Sequence, residues 1–363
     1  MTSREPIGPI ARPGDAIGIL GGGQLGRMLA MAAADLGLDV HIFTPEADSP
    51  AARVAKRTWV ADWSDTAALK EFADSIVAAT LEFENVPVAA ADLIEAAGKP
   101  MRPNGRTLER TQDRLAEKMF LREIGIEPAP FARVDGPGDI EAALKQLGGN
   151  AVMKSRFSGY DGKGQVRLKG AVPPNAWADV GAGPSIMEGW IEHDREISVI
   201  AARGSDGVFV AFDPPENDHS GGILRRSTFP ASAPQGVLDE AVRLTKRLAD
   251  ALGYVGVLAL ELFLTKDGKL LANEFAPRVH NSGHWTQDAC ATGQFEQHIR
   301  AVAGWPLGDP SRHSDGEMIN LLGEDSLGWE SYLAEGAKLH LYGKRHAANG
   351  RKMGHVTRLR PKA

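Results

Sequence analysis

Residues 255–274 read VGVLALELFLTKDGKLLANE. Two strand-like runs flank Asp267-Gly268, and an Asp-Gly pair between such runs is a strong β-hairpin signal. If those two residues form the turn, Lys266 faces Lys269, and counting outward places Glu261 opposite Glu274. Directly opposed Cβ atoms lie only about 4.5–5.5 Å apart, so like charges there repel. Leu258, Leu260, Leu262 and Leu264 share one face, the expected core, and Glu261 falls on the other with Val257 and Ala259. The plain alternative is a solvated pair on an open sheet face. A carboxylate pair facing a cleft instead suits a hard cation, because Mg2+ commonly joins one or two carboxylates to substrate phosphates. Asn273 supplies one more oxygen.

Just downstream runs NEFAPRVHNSGH, residues 273–284, in which nine of twelve are polar, glycine or proline and no apolar periodicity is visible. An arginine fork such as Arg278 suits a planar carboxylate or bicarbonate. Upstream, SGYDGKGQ at 158–165 follows the apolar run that ends at Lys154. Three glycines in six residues are no strand or helix interior. A glycine backbone with one lysine in the loop and another at the strand end can fold over a polyphosphate. A solvated hairpin loop is the competing reading. Short strands at 151–154, 185–190, 196–202 and 208–212 and a helix at 238–252 give this region the texture of an α+β domain with antiparallel strands.

The first hundred residues differ. Strands are predicted at 17–20, 39–43 and 76–79, and helices at 24–36, 65–73 and 89–97, the alternation of a parallel sheet covered by helices. GGGQLG at 21–26 fits the G-x-G-x-x-G spacing, with Glu46 about twenty residues on. Alone this is also the pattern of a tight structural turn. One helix is expected over 106–124, with a strongly polar face in ERTQDRLAEK, and another over 139–147. A small β-rich tail begins near residue 306, and residues 1–14 read as a loose arm.

Bulk properties bound these readings. A chain of 363 residues suggests two or three domains. With 43% hydrophobic and 24% charged residues the composition is that of a soluble globular protein. A net charge of −6 argues against a general nucleic-acid binder. The single cysteine, Cys290, excludes an internal disulfide and a cysteine-rich zinc site, suits a reducing cytoplasm, and is expected to be buried. No membrane span and no signal-peptide run are expected: the most apolar stretch, 251–264, is short and contains Glu261.

Together these pieces resemble the 5-(carboxyamino)imidazole ribonucleotide synthases of the ATP-grasp superfamily. The matching segments are GGGQLGRM at 21–28, TLEFENVP at 80–87, QDRLAEK at 112–118, SGYDGKGQ at 158–165, NEFAPRVHNSGHWT at 273–286 and GRKMGHV at 350–356. They follow family order across nearly the whole chain, and the arm before Asp15 lies outside them. The resemblance implies a Rossmann-like domain over 15–105, an ATP-grasp domain over 106–305 and a small C-terminal domain over 306–363. ATP would lie between the two lobes of the grasp. Arg114 and Lys154 match nucleotide-binding positions. Gly159, Tyr160, Asp161, Gly162, Lys163, Gly164 and Gln165 would cover the phosphates. Glu188, Gly189, Trp190 and Ile191 match the adenine hinge, Glu196 the ribose-holding acid, and His219 falls near another nucleotide contact. Glu261 and Glu274 match magnesium ligands, beside Asn273; two Mg2+ are expected, with Mn2+ an alternative ion.

For the aminoimidazole ribonucleotide, the resemblance points to Gln24, Leu25, Glu82, Tyr160, Asp161, Arg278, His280, Asn281 and Ser282, and to Arg351 and Lys352 near its phosphate. Lys154, Tyr160 and Arg278 would carry the chemistry. The implied reaction attacks ATP with bicarbonate to give carboxyphosphate, then carboxylates the exocyclic amine. A cytoplasmic homodimer is implied. The next step is expected to fall to a separate mutase, with no mutase-like extension read after residue 363. Three alternatives stand beside this reading. A formate-dependent glycinamide ribonucleotide transformylase shares the grasp chemistry, but RVHNSGHWT and GRKMGH favour the imidazole acceptor. An NAD(P) oxidoreductase built on GGGQLG leaves the grasp elements without a role. A dead nucleotide-binding regulator disagrees with the presence of Lys154, Glu261, Glu274 and Arg278.

Overall fold

The computed structural model describes residues 10–157 and 164–363. The N-terminal segment contains β1 (Ala16–Leu20), α1 (Gln24–Asp35), β2 (Asp39–Thr44), β3 (Arg57–Val60), α2 (Thr66–Asp74), β4 (Ala78–Leu81) and α3 (Val88–Ala96). Its strands form a parallel sheet in the order β3-β2-β1-β4. Ile17 and Ile19 pack with α1 on one face, while Leu20 and Phe43 pack with α2 and α3 on the other. Asp65 caps α2 by accepting from the Ala68 amide at 3.0 Å, as its sequence position predicts. β3 is a short strand that the sequence does not announce.

The helix expected over 106–124 is two helices, α4 (Gly105–Thr111) and α5 (Arg114–Glu123). Asp113 breaks the run because its carboxylate caps α5, accepting from the Leu115 amide at 2.9 Å, and also binds the Arg156 guanidinium. Gln112 donates to the carbonyls of Glu84 and Val86 at 2.8 and 2.7 Å. The kink thereby locks α5 to the N-terminal segment. The polar face expected there is also partly wrong: Glu117 and Lys118 are buried.

A smaller antiparallel sheet follows. Its elements are β5 (Phe131–Val134), α6 (Ile140–Gln146), β6 (Asn150–Ser155), β7 (Gln165–Lys169), α7 (Ala176–Asp179) and β8 (Ser185–Gly189), with strand order β5-β8-β6-β7. The rest of the chain supplies β9 (His193–Arg203), β10 (Phe209–Ala211), β11 (Glu216–Ser220), β12 (Ile223–Phe229), α8 (Gln235–Leu252), β13 (Gly256–Thr265) and β14 (Leu270–Ala276). After these come α9 (Thr286–Ala289), α10 (Gln294–Ala303), β15 (Ser314–Leu322), α11 (Trp329–Ala334), β16 (Lys338–Leu341) and β17 (Lys352–Pro361). These strands make one large sheet in the order β14-β13-β9-β11-β12-β15-β17-β16, with β10 beside β9. The C-terminal strands thus continue the sheet that begins with the hairpin.

Both faces of β13 are covered. Leu258, Leu260 and Leu262 pack against α8. Val257 and Ala259 face a second core that holds Phe229 and Trp285, whose rings stack at 4.2 Å. The hairpin differs from the two-residue turn expected. Leu264 pairs with Leu270, so Lys266, Asp267 and Gly268 form the loop, with Gly268 at φ +84°. A three-residue hairpin of this kind needs a left-handed residue at that place, which glycine adopts without strain. Further along, Leu262 pairs with Ala272 but Leu260 with Phe275. Asn273 and Glu274 therefore both oppose Glu261 across a β-bulge. The bulge restores the one-residue difference, and Glu261 and Glu274 line the same cleft.

Two smaller expectations resolve here. The arm is tied down at its end: the Ile10 amide donates to the Ala303 carbonyl at 2.9 Å and Trp305 Nε1 to the Ala11 carbonyl at 2.8 Å, with Ala11 fully buried. Ala11 is therefore a core residue and Ile10 packs against the core, so this end of the arm is not loose. Cys290 is buried as expected, and burial, with Asp213 nearby, pushes its thiol up to about 12. Among the described residues no helix is long and apolar enough to cross a membrane.

Candidate active site

An open cleft of about 1460 Å³ separates the small sheet from the large one and reaches the start of α1. On the small-sheet wall, Lys154 lies near the end of β6 and Glu188 near the end of β8. Their side chains meet at 2.6 Å. Lys118, from α5, approaches the same carboxylate at 3.2 Å. Burial alone would raise the Glu188 pKa, but the Lys118 and Lys154 ammonium groups outweigh it and hold it at about 2. Lys154 is correspondingly raised: burial works against its charge, while Glu188 and Glu274 more than compensate. Trp190, Ile191, Gln165 and Arg114 line the cleft too. The Ser158–Lys163 part of the glycine loop, with Gly159, Tyr160, Asp161, Gly162 and Lys163, lies outside the described residues; Gly164 and Gln165 line the cleft.

The opposite wall is the large sheet. Glu196 on β9 accepts from His219 Nδ1 at 2.7 Å and approaches His193 Nε2 at 3.2 Å. His219 is raised, with burial opposing and the Glu196 hydrogen bond prevailing. The carboxylates of the bulge come next. Glu261 lies 3.0 Å from His280 Nε2. The Asn273 amide is 3.5 Å from its other oxygen. Burial would raise Glu261, yet the His280 hydrogen bond and charge, with His219, hold it well below the usual carboxylate range. Glu261 is therefore ionised in the cleft. Two carboxylates and an amide oxygen on one bulge are hard donors that fit Mg2+.

Glu117, 4% exposed, accepts from the Phe275 amide at 2.6 Å. Burial first, and the Glu274 charge second, push its carboxyl up to about 8. A carboxyl raised in the folded state favours folding while protonated. That contribution is complete below the unfolded value and fades as pH rises through the folded one. Glu117→Gln has no such titration, so its melting temperature should gain on the wild type between about pH 5 and pH 9. A gap that stays constant over that range would contradict a raised Glu117.

Arg278 lines the cleft with part of its fork already paired. Its Nη2 donates to Glu84 Oε1 at 2.8 Å, its Nε contacts Glu84 Oε2, and Nη1 donates to the Val279 carbonyl at 3.1 Å. Burial would raise Glu84, but the Arg278 charge and hydrogen bond bring it to about 2. Arg278 itself is raised: burial opposes its charge and Glu84 prevails. Glu84 was not singled out from sequence although it lies within TLEFENVP.

Two other candidates hold positions behind the wall. The Ser282 hydroxyl is 2.8 Å from His280 Nδ1 and 2.7 Å from Ser198, is 1% exposed, and does not line the cleft. Asn281 lines the cleft, but its amide pairs reciprocally with Asn320 at 2.9 and 2.7 Å.

At the inner end, Gln24, Leu25 and Glu82 line the cleft with Arg351 and Lys352. Arg351 is exposed and donates to the His346 carbonyl at 2.9 Å. Glu82 is buried and accepts from the Gly26 amide at 3.3 Å. Burial raises its pKa against the Gly23 and Gly26 amides. A Cβ on Gly23 would stand 2.5 Å from Glu82 Oε1. The space at the start of α1 is thus filled by the protein's own Glu82 carboxyl group, where a dinucleotide pyrophosphate would have to sit. Glu46 is exposed, and its amide donates to the Thr44 hydroxyl at 3.2 Å. The oxidoreductase reading fails on this geometry.

A small antiparallel sheet closing on a larger one, with a lysine–glutamate wall facing a carboxylate pair, defines an ATP-grasp enzyme. A family model described as the ATP-grasp domain matches residues 119–295. The ribonucleotide synthetase preATP-grasp domain matches residues 15–112, and the phosphoribosylaminoimidazole carboxylase C-terminal domain residues 317–363. The N5-carboxyaminoimidazole ribonucleotide synthase of Brucella melitensis is 53% identical over 97% of this chain and 98% of its own. The crystal structure of the corresponding synthetase from Thermus thermophilus superposes with a TM-score of 0.87 at 44% identity, covering 95% of this chain and 93% of that one. The synthase from Aspergillus clavatus, in complex with ADP and 5-aminoimidazole ribonucleotide, superposes with a TM-score of 0.88 at 27% identity, covering 96% and 94%. The chain belongs to the N5-carboxyaminoimidazole ribonucleotide synthase family.

Proposed function

We propose that this chain uses ATP and bicarbonate to carboxylate the amino group of 5-aminoimidazole ribonucleotide, giving N5-carboxyaminoimidazole ribonucleotide, ADP and phosphate through carboxyphosphate. The observation that carries this reading is that Lys154 and Glu188, Glu261 and Glu274, and Arg278 and His280 all line one cleft. Bicarbonate is a poor electrophile, so it must first be activated by phosphorylation. Such a transfer depends on positioning and on electrostatic stabilisation. Lys154 is charged in the resting site and can exchange Glu188 for a phosphate oxygen. Glu196, held by His193 and His219, would accept from the ribose hydroxyls. Glu261, Glu274 and Asn273 would hold Mg2+, which when bound neutralises phosphate charge.

Arg278 would orient bicarbonate. A guanidinium has five N–H donors. Glu84 takes two and the Val279 carbonyl one, which leaves a pair for a planar oxyanion. Glu84 thus fixes the plane in which that pair points. His280, locked between Ser282 and Glu261, borders the same space. Gln24, Leu25, Glu82, Arg351 and Lys352 are proposed to receive the ribonucleotide, and the glycine loop with Tyr160 to cover the phosphates. Domain limits at 14/15, 105/106 and 305/306, a cytoplasmic homodimer and a separate mutase for the product complete the proposal.

The test is ADP release with bicarbonate in the presence of aminoimidazole ribonucleotide, glycinamide ribonucleotide or no acceptor. The imidazole acceptor is expected to give the fastest stoichiometric turnover. Faster turnover with glycinamide ribonucleotide and formate would replace this reading with the transformylase.

A further inference from the structure

We propose that Glu117 and Lys118 are positioning residues that clamp the backbone on both sides of Glu274 and so aim its carboxylate at the divalent cation. The proposal rests on the reading of Glu261 and Glu274 as metal ligands. β14 is the last strand of the large sheet, and residues 127–129 pair with its outer edge at Ala272, just short of Asn273 and Glu274. At Asn273 and Glu274 the bulge also interrupts the ladder to β13. The backbone there needs partners from elsewhere, and α5 supplies them. Glu117 Oε1 accepts from the Phe275 amide at 2.6 Å, one residue after Glu274. Lys118 Nζ donates to the Asn273 carbonyl, one residue before it.

Lys118 has a second role in the same geometry. Its ammonium group lies 3.2 Å from Glu188 on the opposite wall of the cleft. It therefore links the strand that presents the cation ligands to the strand that lines the nucleotide space. Glu117 and Lys118 are 4% and 1% exposed. Burying a carboxyl beside an ammonium group is costly unless each has partners. Apolar residues would fill a helix face at lower cost, so the pair serves to specify the bulge. Residues that orient metal ligands typically contribute about 10–100-fold to metal affinity.

The experiment measures free Mn2+ by electron paramagnetic resonance in the presence of ADP, and ADP affinity separately in EDTA. Glu117→Met removes the acceptor for the Phe275 amide. It is expected to weaken Mn2+ binding at least about tenfold while metal-free ADP binding stays within about twofold. Glu117→Gln keeps an acceptor oxygen and should restore Mn2+ binding. Lys118→Met should weaken both ligands, because Lys118 touches both walls. Mn2+ affinity unchanged in folded Glu117→Met, or lost equally in Glu117→Gln, overturns the clamp. If Glu117→Met does not fold, Lys118→Met decides by its Mn2+ affinity alone. Glu274→Gln separates the two levels of the argument: normal Mn2+ binding there removes the metal-site reading itself, whereas loss there with normal binding in Glu117→Met removes only the clamp.

Discussion

Glu274→Gln is expected to lower bicarbonate-dependent turnover at least about a hundredfold, since a Lewis-acid contact is worth several kcal/mol of transition-state stabilisation. The substitution nearly preserves shape and removes one charge from the bulge. Folding should not suffer. Glu274 repels the buried Glu117 carboxyl and contributes to its raised pKa. Removing that charge relieves the repulsion, so the melting temperature should stay level or rise. Turnover and thermal unfolding of the purified variant check both halves. Normal turnover would remove Glu274 from the metal site, and a large fall in melting temperature would make it a structural residue instead.

Arg278→Lys is expected to reduce bicarbonate-dependent ADP formation by about 10²–10³-fold, the usual cost of losing a donor aimed at developing charge. Lysine keeps the charge but not the planar fork. It cannot satisfy both oxygens of Glu84 and also present a donor pair to bicarbonate. ATP affinity should stay within about threefold, because the nucleotide contacts proposed above are Lys154 and Glu188 on one wall and Glu196 on the other. Nucleotide titration beside bicarbonate-dependent turnover measures the split. Collapse of ATP binding in a folded variant would place Arg278 in the nucleotide site. Unchanged turnover would leave it as the structural partner of Glu84.

The opposition of Glu261 and Glu274 across the hairpin was legible in sequence, though by a count whose two parts are both off by one. Asp-Gly occurs in two-residue turns and, with glycine in the left-handed position, in three-residue turns. Nothing local separates them. The bulge that restores the pairing is equally silent, because its partners come from α5. Glu117 and Lys118 looked like a solvated helix face for the same reason: local charge pattern cannot show that a strand edge will cover it. The Arg278–Glu84 pair joins residues 194 apart in sequence, so the motif holding each could be seen but not which partner it chose. β11 and β12 read ENDHS and ILRRSTF. They lack clean apolar alternation, and His219, Ile223 and Leu224 line the cleft from them. The Rossmann-like alternation was the easiest part to read, since helix caps such as Asp65 and stops such as Gly37 are local signals.

The most direct test of the central claim, that this cleft activates bicarbonate with the γ-phosphate of ATP, follows oxygen. The enzyme is supplied with ATP, aminoimidazole ribonucleotide and bicarbonate labelled with heavy oxygen, and the released phosphate is analysed by mass spectrometry. Attack of a bicarbonate oxygen on the γ-phosphate predicts one labelled oxygen in each phosphate released. Phosphate without label, formed at the same rate as the carboxylated product, would contradict the account.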